Sequence, residues 1–125
     1  MITGVGVDIV DIARFTKAQK KWGDVFLKRI FTDKEIAYSK NKKFPYQHFA
    51  ARFATKEAVF KAFGGSKTSI RKWTDIEVVN DENGKPSVIL YGQAKTIFNQ
   101  KKMKDIMISM SHSHISAVAN VILLG

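Results

Sequence analysis

The chain has 125 residues, 45% of them apolar and 11% aromatic, with a net charge of +10 and no cysteine. That length suits one domain with its own core. The missing cysteines exclude disulfide frameworks, cysteine-built zinc sites and thiol nucleophiles, and suit a reducing compartment. The charge favours an anionic partner without naming it: nucleic acid, a membrane surface, a phosphorylated metabolite or an acidic protein.

The opening residues MITGVGVDIVDI lack the basic and apolar regions of a leader, and no apolar run approaches bilayer length, so a cytoplasmic protein away from membranes is expected. Lysines outnumber arginines seventeen to four, which gives bidentate base recognition little support. A pI near 9.9 with many aromatics keeps a basic nucleic-acid-binding module as the alternative function.

No linker, repeat or low-complexity tract divides the chain, so residues 1–125 form one expected domain. Ile2 to Ile12 alternates as a strand, with Val5, Val7 and Ile9 on one face and Gly4, Gly6 and Asp8 on the other. The glycine face leaves room for a ligand beside Asp8, or for close strand packing. Ala13 to Lys21 and Val25 to Ile30 predict two short helices. Thr32-Asp33-Lys34-Glu35 has the spacing of a capping box opening a third. After the basic connection Lys40 to Pro45, a long helix runs from Tyr46 to Phe63 and stops at Gly64-Gly65.

Beyond Trp73, DIEVVNDENGKPSVILY predicts a hairpin around Asn-Gly. Gly92 to Lys102 reads as a helix, and IMISMSH and ISAVANVIL as two closing strands. The fold class is α+β: a single domain whose mainly antiparallel sheet packs against the long central helix.

On that helix Ala50, Phe53, Ala54, Glu57, Ala58 and Lys61 fall on one arc, with Phe49 and Phe60 at its edge. A Glu-to-Lys pair at i,i+4 is usually a solvated ion pair worth about 0.2–0.5 kcal/mol. Alanines and phenylalanines on either side argue against that here, and burying both charges unpartnered is expensive. A pocket resolves the conflict: the alanines leave space, Glu57 and Asp8 hold a hard cation such as Mg²⁺, and Lys61 meets a phosphate.

Three segments, GVGVDIVDIARF, FAARFATKEAVFKAFG and ISMSHSHISAVANVIL, together resemble the holo-[acyl-carrier-protein] synthases, small members of the 4'-phosphopantetheinyl transferases. The resemblance spans both ends and the centre of the chain. It implies that family's fold and a Mg²⁺-dependent transfer of 4'-phosphopantetheine from coenzyme A to a serine of an acidic apo acyl carrier protein, in support of fatty acid biosynthesis. It further implies a homotrimer with interfacial active sites. By the same resemblance Asp8 and Glu57 are the metal-binding carboxylates and, with Lys61 near the pyrophosphate, the catalytic group. Arg52, Lys43, Gly64 and His112 bind coenzyme A, Arg52 at the nucleotide and Lys43 and His112 at the 3'-phosphate. Arg14 grips the carrier protein. The serine proton has two possible acceptors, a water polarised by Asp8 or Glu57 itself.

Two features depart from the family pattern. Tyr46-Gln47-His48 stands where members often carry an arginine or other polar residue, and His114 extends the usual Ser-His motif. With His48 the only other histidine, a zinc site at His112 and His114 is short of ligands, and a solvent-facing turn is expected for His114. Gly4-Val5-Gly6 fails as a dinucleotide fingerprint because Ile9 takes the third glycine's place.

Overall fold

The computed structural model describes residues 1–125. Strand β1 (Ile2–Asp11) leads directly into helix α1 (Ile12–Ile30), followed by α2 (Asp33–Lys40) and the central α3 (Pro45–Ala62). Two short 3-10 turns, Gly65–Lys67 and Trp73–Asp75, precede strands β2 (Ile76–Asn80) and β3 (Pro86–Leu90). Helix α4 (Gly92–Gln100) and strands β4 (Asp105–His112) and β5 (Ser116–Leu124) complete the order. All strand pairs are antiparallel, in a three-stranded sheet β1-β5-β4 and a separate two-stranded sheet β2-β3.

The alanines of α3 explain how helix and sheet meet. Ala50, Ala54 and Ala58 are fully buried. A Cβ placed on Gly6 would overlap the carbonyl oxygen of Ala58, and one on Gly4 the carbonyl oxygen of Ala62. The bare face of β1 is therefore filled by the backbone of α3 rather than by a ligand. Small residues on both partners bring the elements into backbone contact, and this close approach fixes where Asp8 lies beside the helix.

The opposite face of this sheet carries no covering layer. Val5, Val7 and Ile9 of β1 are 60%, 58% and 69% exposed, with Val118 of β5 and Met107 of β4 exposed beside them. The register pairs Ile9 with Val118 and both Val5 and Met107 with Ile122, so these apolar side chains share one face, with the polar Asn120 opposite Val7 and Ser109.

Helix α1 is continuous except at Gly23, where φ 65° and ψ −146° kink it. The two predicted short helices are its halves, and glycine permits the left-handed φ at the joint. The capping box is present: Thr32 Oγ1 accepts from Glu35 N–H at 3.3 Å, and Glu35 Oε1 accepts from Thr32 N–H at 2.9 Å. Glu35 does more than cap. Buried and 1% exposed, it accepts from Lys56 Nζ at 2.6 Å and from Val78 N–H at 3.0 Å. Lys56, also buried, donates further to the carbonyls of Ile30 (2.8 Å) and Trp73 (3.1 Å). Every ammonium proton thus has an acceptor, the condition for an ion pair to survive burial.

The β2-β3 hairpin turns through a longer loop than two residues. Asp81 Oδ1 accepts from the backbone N–H groups of Asn83 (2.8 Å) and Lys85 (2.9 Å). No helix is long and apolar enough to cross a membrane.

Candidate active site

Asp8 stands on β1 opposite Ala119 of β5, and Glu57 and Lys61 lie one turn apart on α3. With Arg14 of α1 and Phe53 of α3 they line one cavity of about 630 Å³. The sequence arc puts Glu57 and Lys61 among the alanines; the helix instead holds them on its shoulder, where Glu57 is half-buried and Lys61 exposed. Lys61 Nζ donates to Asp8 Oδ1 at 2.8 Å and to the carbonyl of Val7 at 3.2 Å. The hydrogen bond to Asp8 raises the Lys61 pKa, with help from the charges of Asp8 and Glu57 and against its own desolvation. Glu57 has a raised pKa as well: burial penalises its ionised form, Asp8 adds like-charge repulsion, and Lys61 opposes both.

A half-buried Glu57 whose ionisation Asp8 disfavours, sharing one partly enclosed space with that second carboxylate, suits a hard divalent cation with oxygen ligands. Asp8 and Glu57 would be its only acidic ligands from the chain, which has no group of three or more His, Asp or Glu residues arranged to hold a metal. Waters and phosphate oxygens fill the remaining positions in such sites. Arg14 sits at the same cavity, its backbone N–H capped by Asp11 Oδ1 at 3.0 Å. A neighbouring cavity of about 380 Å³ shares Glu57 and adds Arg71, Lys72 and an apolar wall of Phe60, Ile70 and Trp73. Neither basic residue stands out in the sequence, because the loop holding them has no periodicity.

Of the expected nucleotide residues, Arg52 and His112 meet elsewhere. Arg52, only 1% exposed, lies with its guanidinium 4.3 Å from the centre of the Tyr38 ring and donates from Nη2 to Asn80 Oδ1. Its Nε has no partner. Burial lowers the Arg52 pKa, countered by Tyr38 and Glu35. Arg52, Tyr38, Asn80, His48 and His112 line a cavity of about 220 Å³ that includes none of the acidic pair or Lys61. A single chain therefore holds two separate groups, one acidic and one basic. Lys43 is exposed, with Nζ 5.6 Å from the Phe44 ring centre, and lines neither cavity. Gly64 lines neither one as well; it ends α3 in the left-handed conformation. His114 is exposed, its Nδ1 3.2 Å from Gln47 Nε2.

His48 and Asn80 were not singled out as site residues by sequence. For His48 a signal existed, since it lies four residues before Arg52 and so on the same helix stripe.

Fold and site together define a phosphopantetheinyl transferase: the chain belongs to the 4'-phosphopantetheinyl transferase superfamily, whose model matches residues 4–119. Within that superfamily it falls among the holo-[acyl-carrier-protein] synthases. It is 46% identical to the holo-[acyl-carrier-protein] synthase of Geobacter sp. (strain M21), over 98% of each chain. The crystal structure of the Neisseria meningitidis synthase matches with a TM-score of 0.90 and 31% identity, covering all of both chains. That of the Bacillus anthracis synthase, in complex with CoA (3',5'-ADP), matches with a TM-score of 0.79 and 36% identity over 98% of this chain and 96% of that one.

Proposed function

We propose that the chain transfers 4'-phosphopantetheine from coenzyme A to a serine hydroxyl of an acidic apo acyl carrier protein, in support of fatty acid biosynthesis in the cytoplasm. The carrying observation is the shared cavity of Asp8 and Glu57, with Lys61 and Arg14 beside them. The serine oxygen forms a bond to the β-phosphorus of the coenzyme A pyrophosphate. The bond to the bridging oxygen breaks, and adenosine 3',5'-bisphosphate leaves with the electron pair.

Asp8 and Glu57 would hold Mg²⁺, which when bound offsets charge on the pyrophosphate and on the departing bisphosphate. Lys61 is half exposed on its Asp8 tether, so its ammonium can turn to a phosphate oxygen as charge builds there. The serine proton passes to a carboxylate of the acidic pair, directly or through water. Arg14, on the rim, meets an acidic segment of the carrier and orients the serine. Arg52 and His112 hold the nucleotide, and Lys43 and Gly64 join them only where a bound ligand draws their loops in.

The separation of the acidic and nucleotide groups supports a homotrimer in which each active site spans two copies. The uncovered face of β1, β5 and β4, with five large apolar side chains exposed, supports it independently, since a cluster of exposed apolar residues marks an association site. Nothing beyond the basic, aromatic-rich composition supports the nucleic-acid alternative.

Incubating the protein with coenzyme A, Mg²⁺ and an apo carrier protein should add the mass of one phosphopantetheine group to the carrier. Asp8→Asn and Glu57→Gln should fold and abolish the addition, as should a chelator. An unmodified carrier, or full transfer by Glu57→Gln, would overturn the assignment.

A further inference from the structure

The nucleotide group contains a residue that the transferase motifs do not account for. His48 lies in the first turn of α3, and its ring centre is 5.6 Å from that of His112 on β4 and 6.2 Å from that of Tyr38 on α2. Lys42, from the loop after α2, reaches over Tyr38 with Nζ 4.4 Å from the ring centre, and Arg52 stacks at 4.3 Å. The charged and titratable groups facing His48 are thus Tyr38, Lys42, Arg52 and His112. None of them is a carboxylate, and neither Lys42 nor Arg52 forms an ion pair in the chain, whose three pairs all lie elsewhere.

Such a cluster is costly without an anion. Two further observations point to one. Arg52, almost completely buried at the cavity, keeps its Nε without any partner. Helix α3 opens with no capping side chain and no acidic residue in its first turn, so no carboxylate or hydroxyl answers the positive end of its dipole beside His48.

We propose that His48 is a phosphate-selecting residue: with His112 it contacts the 3'-phosphate of coenzyme A and favours ligands that carry this group over ligands that lack it. The inference rests on the transferase reading above and adds a residue to it.

A proton accompanies this contact. In the free protein burial, then Arg52, His112 and Lys42, hold His48 below the ordinary imidazole range, so at pH 7 it is neutral. An arriving phosphate dianion offsets the cationic Arg52 and Lys42 and favours the imidazolium. Binding of coenzyme A therefore takes up a proton, and its affinity rises as pH falls toward the His48 pKa of the free protein.

The test is calorimetric titration of the full-length protein with coenzyme A and with 3'-dephospho-coenzyme A, in two buffers of different ionisation enthalpy. Wild type should prefer coenzyme A and take up protons with it alone. His48→Gln should lower the preference about tenfold, the scale of one charge-assisted hydrogen bond, and reduce the uptake. His48→Phe, which keeps a ring at the site, should lower it likewise, and His48→Lys should restore much of it. A preference unchanged in both His48→Gln and His48→Phe overturns the role of His48 and leaves the transferase reading standing. Failure of wild type to bind coenzyme A at all overturns that reading and this inference together.

Discussion

Replacing Gly6 by alanine tests whether backbone contact between β1 and α3 sets up the acidic site. The new Cβ would overlap the Ala58 carbonyl oxygen and lie 2.9 Å from its carbonyl carbon and 3.0 Å from the Ala62 amide nitrogen. All three neighbours are backbone atoms of a buried helix, so no side chain can swing away. Strand and helix must separate by on the order of 1 Å, and overpacking of this kind costs about 3 kcal/mol. For a domain of this size that loss corresponds to a melting temperature lower by about 10 °C. Asp8 is two residues along the same strand and is tied to Lys61 at 2.8 Å, so the separation also pulls the carboxylate from the helix that carries Glu57. A displacement near 1 Å lowers transfer by about a hundredfold. Chemical denaturation reads the stability, and kcat/KM under conditions where the variant is fully folded reads the geometry. A Gly6→Ala protein within about 0.5 kcal/mol of wild type and fully active would refute the reasoning.

Lys56→Met should destabilise the fold by about 4 kcal/mol, because it strands the buried Glu35 carboxylate; equilibrium unfolding checks this, and an equally stable variant would remove the ion pair from the account. In the metal-free protein, Lys61→Gln should raise the Glu57 pKa further, since Lys61 is the one cause that lowers it; carboxyl chemical shifts followed against pH would show the midpoint moving up, and a downward move would reverse the electrostatic assignment. Arg14→Glu should raise KM for the carrier protein about tenfold with coenzyme A affinity unaltered; equal loss of both would move the docking surface elsewhere. Val7→Asp, in the middle of the uncovered sheet face, should convert a trimer to smaller species in sedimentation, and a wild-type monomer would dismiss the trimer itself.

Features written in local chemistry were legible in the sequence. The Thr32 capping box, the Gly64 helix stop and the alternation of β1 each depend on residues within a few positions of one another, and the structure reproduces them. The acidic site was legible because charged residues at Glu57 and Lys61 sit beside buried alanines. What filled the glycine face was not, since nothing local distinguishes room for a ligand from room for a helix backbone. Glu35 and Lys56 were equally hidden: each reads as surface charge, and only tertiary packing brings α2 and α3 together over a separation of 21 residues. The division of the site into two groups is hidden in the sequence for a related reason. Arg52 and Glu57 are only five residues apart, yet a helix turns them toward different cavities.

The pairing of β1 with β5 carries a consequence for biosynthesis. Asp8 is held against Ala119, so its strand has no hydrogen-bonded neighbour until a segment more than a hundred residues downstream has been made. During translation the first strand must wait, with its valines and isoleucine available to any other unpaired edge, while local helices form. The acidic cavity thus forms late in synthesis, when ring closure between distant parts of the polypeptide brings Asp8 into place.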